Sequence, residues 1–153
     1  GAVLTENCSV EVIADGVHLH PAILKMICKL KAVDDITLIS DCINAGGMAD
    51  GLYTLGKLQV DVANGIARTK AGSLAGSTLT LEKAVKNMVT LADVEFRDAV
   101  HMASLSPAKF LEIDDKRGSI KEAKDADLCV VGDAGEVEMT IISGEIVYQK
   151  NNQ

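Results

Sequence analysis

The stretch that decides the fold is residues 10–40, VEVIADGVHLHPAILKMICKLKAVDDITLIS. It opens with the β-type run 10–14 and closes with the apolar run 36–40, which is typical of a parallel strand covered on both faces. Between them, Pro21 opens a segment whose apolar residues recur at helical spacing, and this predicts a helix over 21–32. A strand, a helix and a strand within about thirty residues form a βαβ unit, so the two strands are expected to be parallel neighbours.

The middle of the chain predicts a hairpin followed by helices. Apolar and polar residues alternate before and after Asn64-Gly65, which is a strong type I′ turn signal, so 57–68 should form a β-hairpin. A helix is expected over 80–91, with Thr78 or Thr80 as its N-cap. Two more helices are expected after it, over 94–105 and from Pro107 onward.

The last third of the chain is β-type. Short apolar runs at 128–131, 137–142 and 145–148 predict three strands, and Ser143-Gly144 marks a tight turn between the last two. A sheet of three short strands is marginal by itself, so we expect it to belong to a larger sheet.

Composition excludes several classes of function. The 153 residues carry a net charge of −7, which argues against a broad nucleic-acid footprint. No apolar run approaches the ~20 residues of a membrane span, and no signal peptide is visible. The four cysteines show no CxxC spacing, which favours a reducing cytoplasm over a disulfide framework.

The chain begins with Gly and is too short for a complete (β/α)₈ barrel of ~250 residues, so we expect a processed start or a piece of a longer protein.

Histidines follow the first predicted strand. His18 and His20 lie two residues apart, so on an extended segment both could bind one metal ion, with Asp41 as a third ligand. The alternative is that one histidine meets a substrate while the other packs or bonds to the backbone.

Asp41 follows the second predicted strand and precedes a glycine-rich loop. A carboxylate at the end of an apolar strand is expected to be partly desolvated, which raises its pKa and suits proton shuttling; the alternative is a turn or N-cap aspartate. A second segment, 74–77, has small side chains at a helix start and could present backbone N–H groups to an anion or a sugar oxygen.

Several short motifs, taken in order, resemble the N-acetylglucosamine-6-phosphate deacetylase family of the amidohydrolase superfamily. They cover essentially the whole chain, and the resemblance rests on their order and spacing. They are IADGVHLHP at 13–21, ISD at 39–41, GLYTLG at 51–56, GSLAGSTLT at 72–80, SPA at 106–108, GSI at 118–120 and DADL at 125–128.

The resemblance implies an α/β fold. The family has a (β/α)₈ TIM-type barrel with a small β-sandwich built from both chain ends. This chain looks like the C-terminal part only, with residues 1–111 in the barrel and residues 112–153 supplying strands of the sandwich.

The resemblance also implies a reaction, the hydrolysis of the acetamide of N-acetylglucosamine 6-phosphate to glucosamine 6-phosphate and acetate. In the family a metal-activated water attacks the amide carbonyl while an aspartate carries the proton to the leaving amine. The motif match assigns that role to Asp41; Ser40 before it replaces the more usual Thr. The residues matched to substrate contacts are Asp15, Gly16, Val17 and His18 in one motif and Leu74, Ala75 and Gly76 in another.

The family's divalent metal, zinc or similar, is held mainly by a Glu and two His on earlier strands. Those ligands would lie upstream of Gly1, which disfavours a metal site at His18 and His20. We therefore expect no metal site in this chain, and no activity from the chain alone. The family's partners would be a small sugar phosphate and a second copy in a homo-oligomer, without nucleic acid or membrane.

Two other functions remain open from the sequence. One is a non-catalytic module that binds sugar phosphate or another protein. The other is a different amidohydrolase, such as a dihydroorotase-like enzyme, which the ordered 74–78 segment disfavours.

Overall fold

The computed structural model describes residues 1–150, and its first elements form the expected βαβ unit. Strand β1 is Val10–Val12, helix α1 is Pro21–Leu30 and strand β2 is Ile36–Leu38. The two strands are parallel, with Val10 opposite Ile36 and Val12 opposite Leu38. Both end two residues earlier than predicted, although Ile39 N still donates to Val12 O at 3.0 Å. The parallel βαβ prediction is confirmed, and the chain is α/β.

Three further helices follow a β-rich insertion and pack with α1 around these strands. They are α2 (Leu81–Ala92), α3 (Phe96–Ala103) and α4 (Leu105–Phe110). The side chains that fill this core are almost completely buried: Val12, Leu24, Ile36, Met88 and Met102. Each such side chain stabilises the fold by about 1.5–3 kcal/mol relative to an exposed one. This core fixes the strands whose ends carry the candidate residues.

The insertion between β2 and α2 is a three-stranded antiparallel sheet. Its strands are β3 (Gly51–Leu55), β4 (Leu58–Ala63) and β5 (Ile66–Thr69), in that order. Asn64 and Gly65 both have positive φ, 53° and 70°, which confirms the predicted type I′ hairpin. The sequence did not predict β3 as a separate strand, because its side chains are mostly exposed and it lacks a clear buried face.

The last sheet is antiparallel, in the order β6 (Leu128–Val131), β7 (Val137–Ile142) and β8 (Glu145–Gln149). The three predicted strands are confirmed, and Ser143 and Gly144 form the turn with φ of 53° and 84°. None of these strand residues is fully buried within the described part of the chain, and Ile142, Ile146 and Val147 are more than half exposed.

Ionic contacts tie the helices to the segment before β2. The Asp34 carboxylate lies 2.8 Å from Lys109 Nζ of α4 and 2.5 Å from His101 Nε2 of α3. The hydrogen bonds from Lys109 and then from His101 hold the pKa of Asp34 below its usual value. Within residues 1–150, no helix has the length and apolar character needed to cross a membrane.

Thr80 is the N-cap of α2. It is one of the two residues that the sequence predicted for this position. Its Oγ1 accepts a hydrogen bond from Lys83 N at 3.3 Å. Thr80→Ala should therefore lower the free energy of unfolding by about 1 kcal/mol in urea titrations. Thr90→Ala is the matched control, since Thr90 lies on the exposed side of the same helix and Ala is a better helix former there. Equal losses in the two variants would contradict the cap assignment.

Candidate active site

The loop after β1 is organised by the Asp15 carboxylate. Asp15 Oδ1 accepts from the backbone N–H groups of Val17 at 2.9 Å and His18 at 2.8 Å, and Asp15 Oδ2 lies 2.7 Å from His18 Nδ1. Gly16 adopts φ +74°, and a Cβ at this position would lie 3.3 Å from Leu91 Cδ1 of α2. The motif 15–18 therefore folds into a tight turn in which the Asp15 carboxylate fixes the His18 ring through Nδ1. The other ring nitrogen, Nε2, is not bound by Asp15.

Hydrogen bonding sets the ionisation of Asp15. Burial alone would raise its pKa, but the backbone and ring of His18 and the backbone of Val17 stabilise the charged carboxylate. The net effect holds the pKa of Asp15 below its ordinary value.

His20 has a different role from His18. Its ring caps the N-terminus of α1, with Nδ1 accepting from Ala22 N at 3.2 Å, and its side chain is exposed. The two histidines thus make separate local contacts, which favours the alternative to a two-histidine metal site.

Asp41 lies just beyond β2 in the left-handed region, with φ +45°. Its side chain is exposed, so the expected partial desolvation is wrong for the described residues. The reason is topological: within residues 1–150, β2 has β1 on one side, and on the other side only the short segment around Ser77 lies beside the chain that follows β2.

The 74–77 segment lies against Asp41. Ser77 N donates to Asp41 O at 2.8 Å, and Ile43 N donates to Ser77 O at 2.9 Å. A Cβ at Gly76, whose φ is +65°, would lie 3.0 Å from Asp41 O and 2.6 Å from Ile43 Cγ2. Only glycine allows this close approach without displacing the backbone at Asp41.

The segment offers fewer backbone donors than expected. Ala75 N is used by Ala67 O at 3.1 Å, and Ser77 N is used by Asp41 O. Leu74 is half-buried beside Arg68, and Ala75 belongs to the core of the inserted sheet. Within residues 1–150, the Gly76 N–H has no backbone acceptor, so it is one donor beside Asp41 that is left for a ligand.

The structure thus joins the predicted residues into two groups. Asp41 is held against Gly76, and Asp15 is held against His18. The groups sit at the carboxyl ends of adjacent parallel strands but share no direct hydrogen bond within the described residues. Helix α2 links them, because it begins shortly after the 74–77 segment and its Asn87 Nδ2 donates to Ala14 O at 2.8 Å.

Sequence reasoning missed the supporting roles of Ser77 and Asn87. Ser77 stood inside a motif that could have drawn attention to it, whereas Asn87 gave no local signal because its partner is 73 residues away.

No metal cage is present in the described part of the chain. Residues 1–150 contain no group of three or more His, Cys, Asp or Glu side chains placed to hold one ion. His20 is occupied as a helix cap and the Asp15 carboxylate is occupied by His18, so these residues do not fit a complete metal site.

An apolar groove of about 320 Å³ lies away from these groups, between α2, α3 and the last sheet. Val85, Phe96, Val100 and Val137 are among its lining residues, and it offers few polar groups for chemistry.

The family follows from comparison with known proteins. The family model described as the amidohydrolase family matches residues 4–147. This chain therefore belongs to the amidohydrolase family, whose members generally use a divalent metal.

Two similar relatives are named as deacetylases of amino-sugar phosphates. The chain is 43% identical over 147 residues to an Escherichia coli K12 protein named "Putative N-acetylgalactosamine-6-phosphate deacetylase", covering 95% of this chain and 87% of that one. It is 41% identical over 146 residues to the N-acetylglucosamine-6-phosphate deacetylase of Vibrio furnissii, covering 95% of this chain and 36% of the relative.

A solved structure agrees with these relatives. The N-acetylglucosamine-6-phosphate deacetylase of Thermotoga maritima matches with a TM-score of 0.92 and 38% identity, covering 97% of this chain and 41% of that one. The chain therefore spans about two fifths of the Thermotoga enzyme and most of the short E. coli relative.

Gly76→Ala should cost more stability than the same change at Gly72. A Cβ at Gly72 meets nothing within 4 Å, so Gly72→Ala costs only the left-handed conformation, about 1–2 kcal/mol. Gly76→Ala adds the collision with Ile43 and Asp41, about 1–3 kcal/mol more. Urea unfolding of both variants measures the difference, and an equal loss would contradict the close approach at Gly76.

Asp15→Asn should destabilise the chain at neutral pH and do so less in acid. Because the folded-state pKa of Asp15 is lowered, its stabilisation is present above about pH 4–5 and is lost as pH falls through the folded pKa. The gap between wild type and variant in unfolding free energy should therefore narrow between pH 7 and pH 3. Asp61→Asn, at an exposed carboxylate of β4, is the control and should show little gap at either pH. A gap for Asp15→Asn that is unchanged at pH 3 would refute the role of its charge.

Proposed function

We propose that this chain forms the C-terminal part of an N-acetylglucosamine-6-phosphate deacetylase, which releases acetate from the sugar's acetamide. The single observation that supports this most is the contact of Asp41 with Gly76 beside the strand end that holds Asp15 and His18. The Asp41 carboxylate would then lie at the same edge of the parallel sheet as the two substrate-contact segments, 15–18 and 74–76. Folds of this kind bind their ligands at that edge.

Asp41 would act as the proton carrier. Amide hydrolysis adds water across the C–N bond, so the attacking water must lose a proton and the leaving nitrogen must gain one. An exposed carboxylate at the strand end can accept the first proton and return it to the amine, giving glucosamine 6-phosphate and acetate.

His18 and Gly76 would orient the substrate. Since Asp15 holds His18 Nδ1, the ring can direct Nε2 toward a sugar or carbonyl oxygen. The Gly76 N–H is a second donor close to Asp41. Asp15, Gly16 and Val17 shape the first contact loop, and Leu74 and Ala75 anchor the second to the inserted sheet.

The longer relatives suggest how the rest of the enzyme is arranged. Under this proposal, residues 1–111 belong to a (β/α)₈ TIM-type barrel and residues 112–153 supply strands of a small β-sandwich. The parallel β1–β2 pair and the separate β6–β7–β8 sheet support this division. A divalent metal, zinc or similar, would be held mainly by residues outside this chain.

The sugar, the assembly and the compartment are part of the same proposal. The E. coli relative is named for the galactosamine epimer, so assays should compare both 6-phosphates. A homo-oligomer is proposed from the family resemblance. The four thiols, none of them in a disulfide within the described residues, support a reducing cytoplasm.

Asp41→Asn should abolish deacetylation in the full-length form, meaning this chain joined to the N-terminal portion that its longer relatives have. The asparagine side-chain amide cannot take up the proton of the attacking water. The value of kcat should therefore fall by at least about 10²–10⁴-fold, measured as acetate released from N-acetylglucosamine 6-phosphate. Asp61→Asn, at an exposed carboxylate far along β4, should keep full activity. Undiminished turnover by Asp41→Asn would refute the proposed role.

The isolated chain should show no turnover with added zinc, because the described residues lack a metal cage. Calorimetry with glucosamine 6-phosphate distinguishes the other reading: tight metal-free binding would favour a non-catalytic sugar-phosphate module. Robust turnover by the isolated chain would contradict the proposal that the metal ligands lie outside this chain.

A further inference from the structure

Ser77 is a buried polar residue, 4% exposed, that the reaction proposed above does not use. Its hydroxyl Oγ donates to Ser40 O and accepts from Leu79 N at 3.0 Å. Its backbone N–H donates to Asp41 O at 2.8 Å, and its carbonyl accepts from Ile43 N at 2.9 Å. One residue therefore holds the chain before, at and after Asp41.

These bonds act on the two peptide planes that flank the Asp41 Cα. The Ser40 carbonyl belongs to the preceding plane, whose rotation is the φ angle of Asp41, and the Asp41 carbonyl belongs to the following plane, whose rotation is its ψ angle. The hydroxyl of Ser77 holds the first carbonyl, and its amide holds the second. Both backbone torsions of Asp41 are thus fixed from a single neighbouring residue.

The Asp41 carboxylate needs such support. Asp41 has φ +45°, which residues with side chains rarely adopt, and its side chain is exposed. Within residues 1–150, no hydrogen bond to its carboxylate oxygens fixes its direction. The backbone therefore determines where the carboxylate starts, and a small rotation at φ would move it away from a bound amide.

We infer that Ser77 is a positioning residue for Asp41, with its hydroxyl fixing the backbone from which the proton-carrying carboxylate projects. This inference rests on the proposed role of Asp41. It assigns to Ser77 no contact with substrate and no part in proton transfer.

Ser77→Ala in the full-length form tests this directly. The variant keeps the backbone bonds and removes the hydroxyl, so kcat should fall by about 10- to 100-fold, as for a misplacement of roughly 1 Å. KM for N-acetylglucosamine 6-phosphate should change by less than about twofold, because His18 and the Gly76 N–H stay in place. The rates are taken per folded enzyme, at a temperature well below the unfolding midpoint.

Ser106→Ala is the matched control. Ser106 is 1% exposed and its Oγ donates to Val33 O at 2.8 Å, so it loses the same kind of buried hydroxyl bond away from Asp41. It should lower the unfolding midpoint, as Ser77→Ala does, while leaving kcat unchanged. Equal kcat in the two variants would overturn the inference and leave Ser77 a structural residue.

Two further variants separate the possible failures. Asp41→Asn must be inactive for the test to apply; if it is active, the proposed function fails, whatever Ser77→Ala does. If Ser77→Ala does not fold, Ser77→Cys keeps a side chain of the same connectivity, slightly larger and with a weaker donor, and it should show a reduced kcat at unchanged KM. Full kcat in folded Ser77→Cys would then overturn the positioning role.

Discussion

The parallel pairing of β1 and β2 is the constraint on which the rest of the candidate site depends. It places the segments that follow Val12 and Leu38 at the same edge of the sheet. Asp15 and Asp41 follow those strands, so their loops become neighbours although they are 26 positions apart in sequence. The apolar core beneath the strands holds this edge in place. The loop after β1 is then shaped by local contacts, and the loop after β2 by contacts with the distant 74–77 segment.

The two loops take their shapes in different ways. The loop after β1 is built by the charged Asp15 carboxylate, which accepts hydrogen bonds from two backbone N–H groups and contacts a histidine ring. Its shape therefore depends on the charge of that carboxylate. The loop after β2 is built by close backbone approach, in which Gly76 leaves room for Asp41 and Ser77 binds its carbonyl. This difference explains why the first loop should be sensitive to pH and the second to side-chain size.

Patterns within short stretches predicted much of this structure. The parallel βαβ unit, the Asn64-Gly65 hairpin and the Thr80-capped helix follow from local hydrophobic periodicity and turn chemistry. Strand β3 was missed because its exposed side chains leave no alternating signal. The grouping of Asp41 with Gly76 was expected only from the family resemblance, since their contact spans the whole inserted sheet.

The partial errors share one cause. From the sequence, Asp41 was expected to be partly desolvated, with a turn aspartate as the alternative, and residues 74–77 were expected to offer backbone N–H groups to a ligand. Both depend on long-range neighbours: in the part of the chain that the structure describes, β1 is the one strand paired with β2, and Ala75 and Ser77 give their N–H groups to Ala67 and Asp41. Local patterns do not encode which distant carbonyl will accept a given amide.

The most direct test of the central claim is a crystal structure of the inactive Asp41→Asn full-length form with N-acetylglucosamine 6-phosphate bound. The account predicts that the side chain at position 41 lies within about 3.2 Å of the acetamide nitrogen or of the water beside its carbonyl. It also predicts His18 and Gly76 N in contact with the same sugar. A substrate bound elsewhere, or an acetamide beyond the reach of position 41, would contradict it.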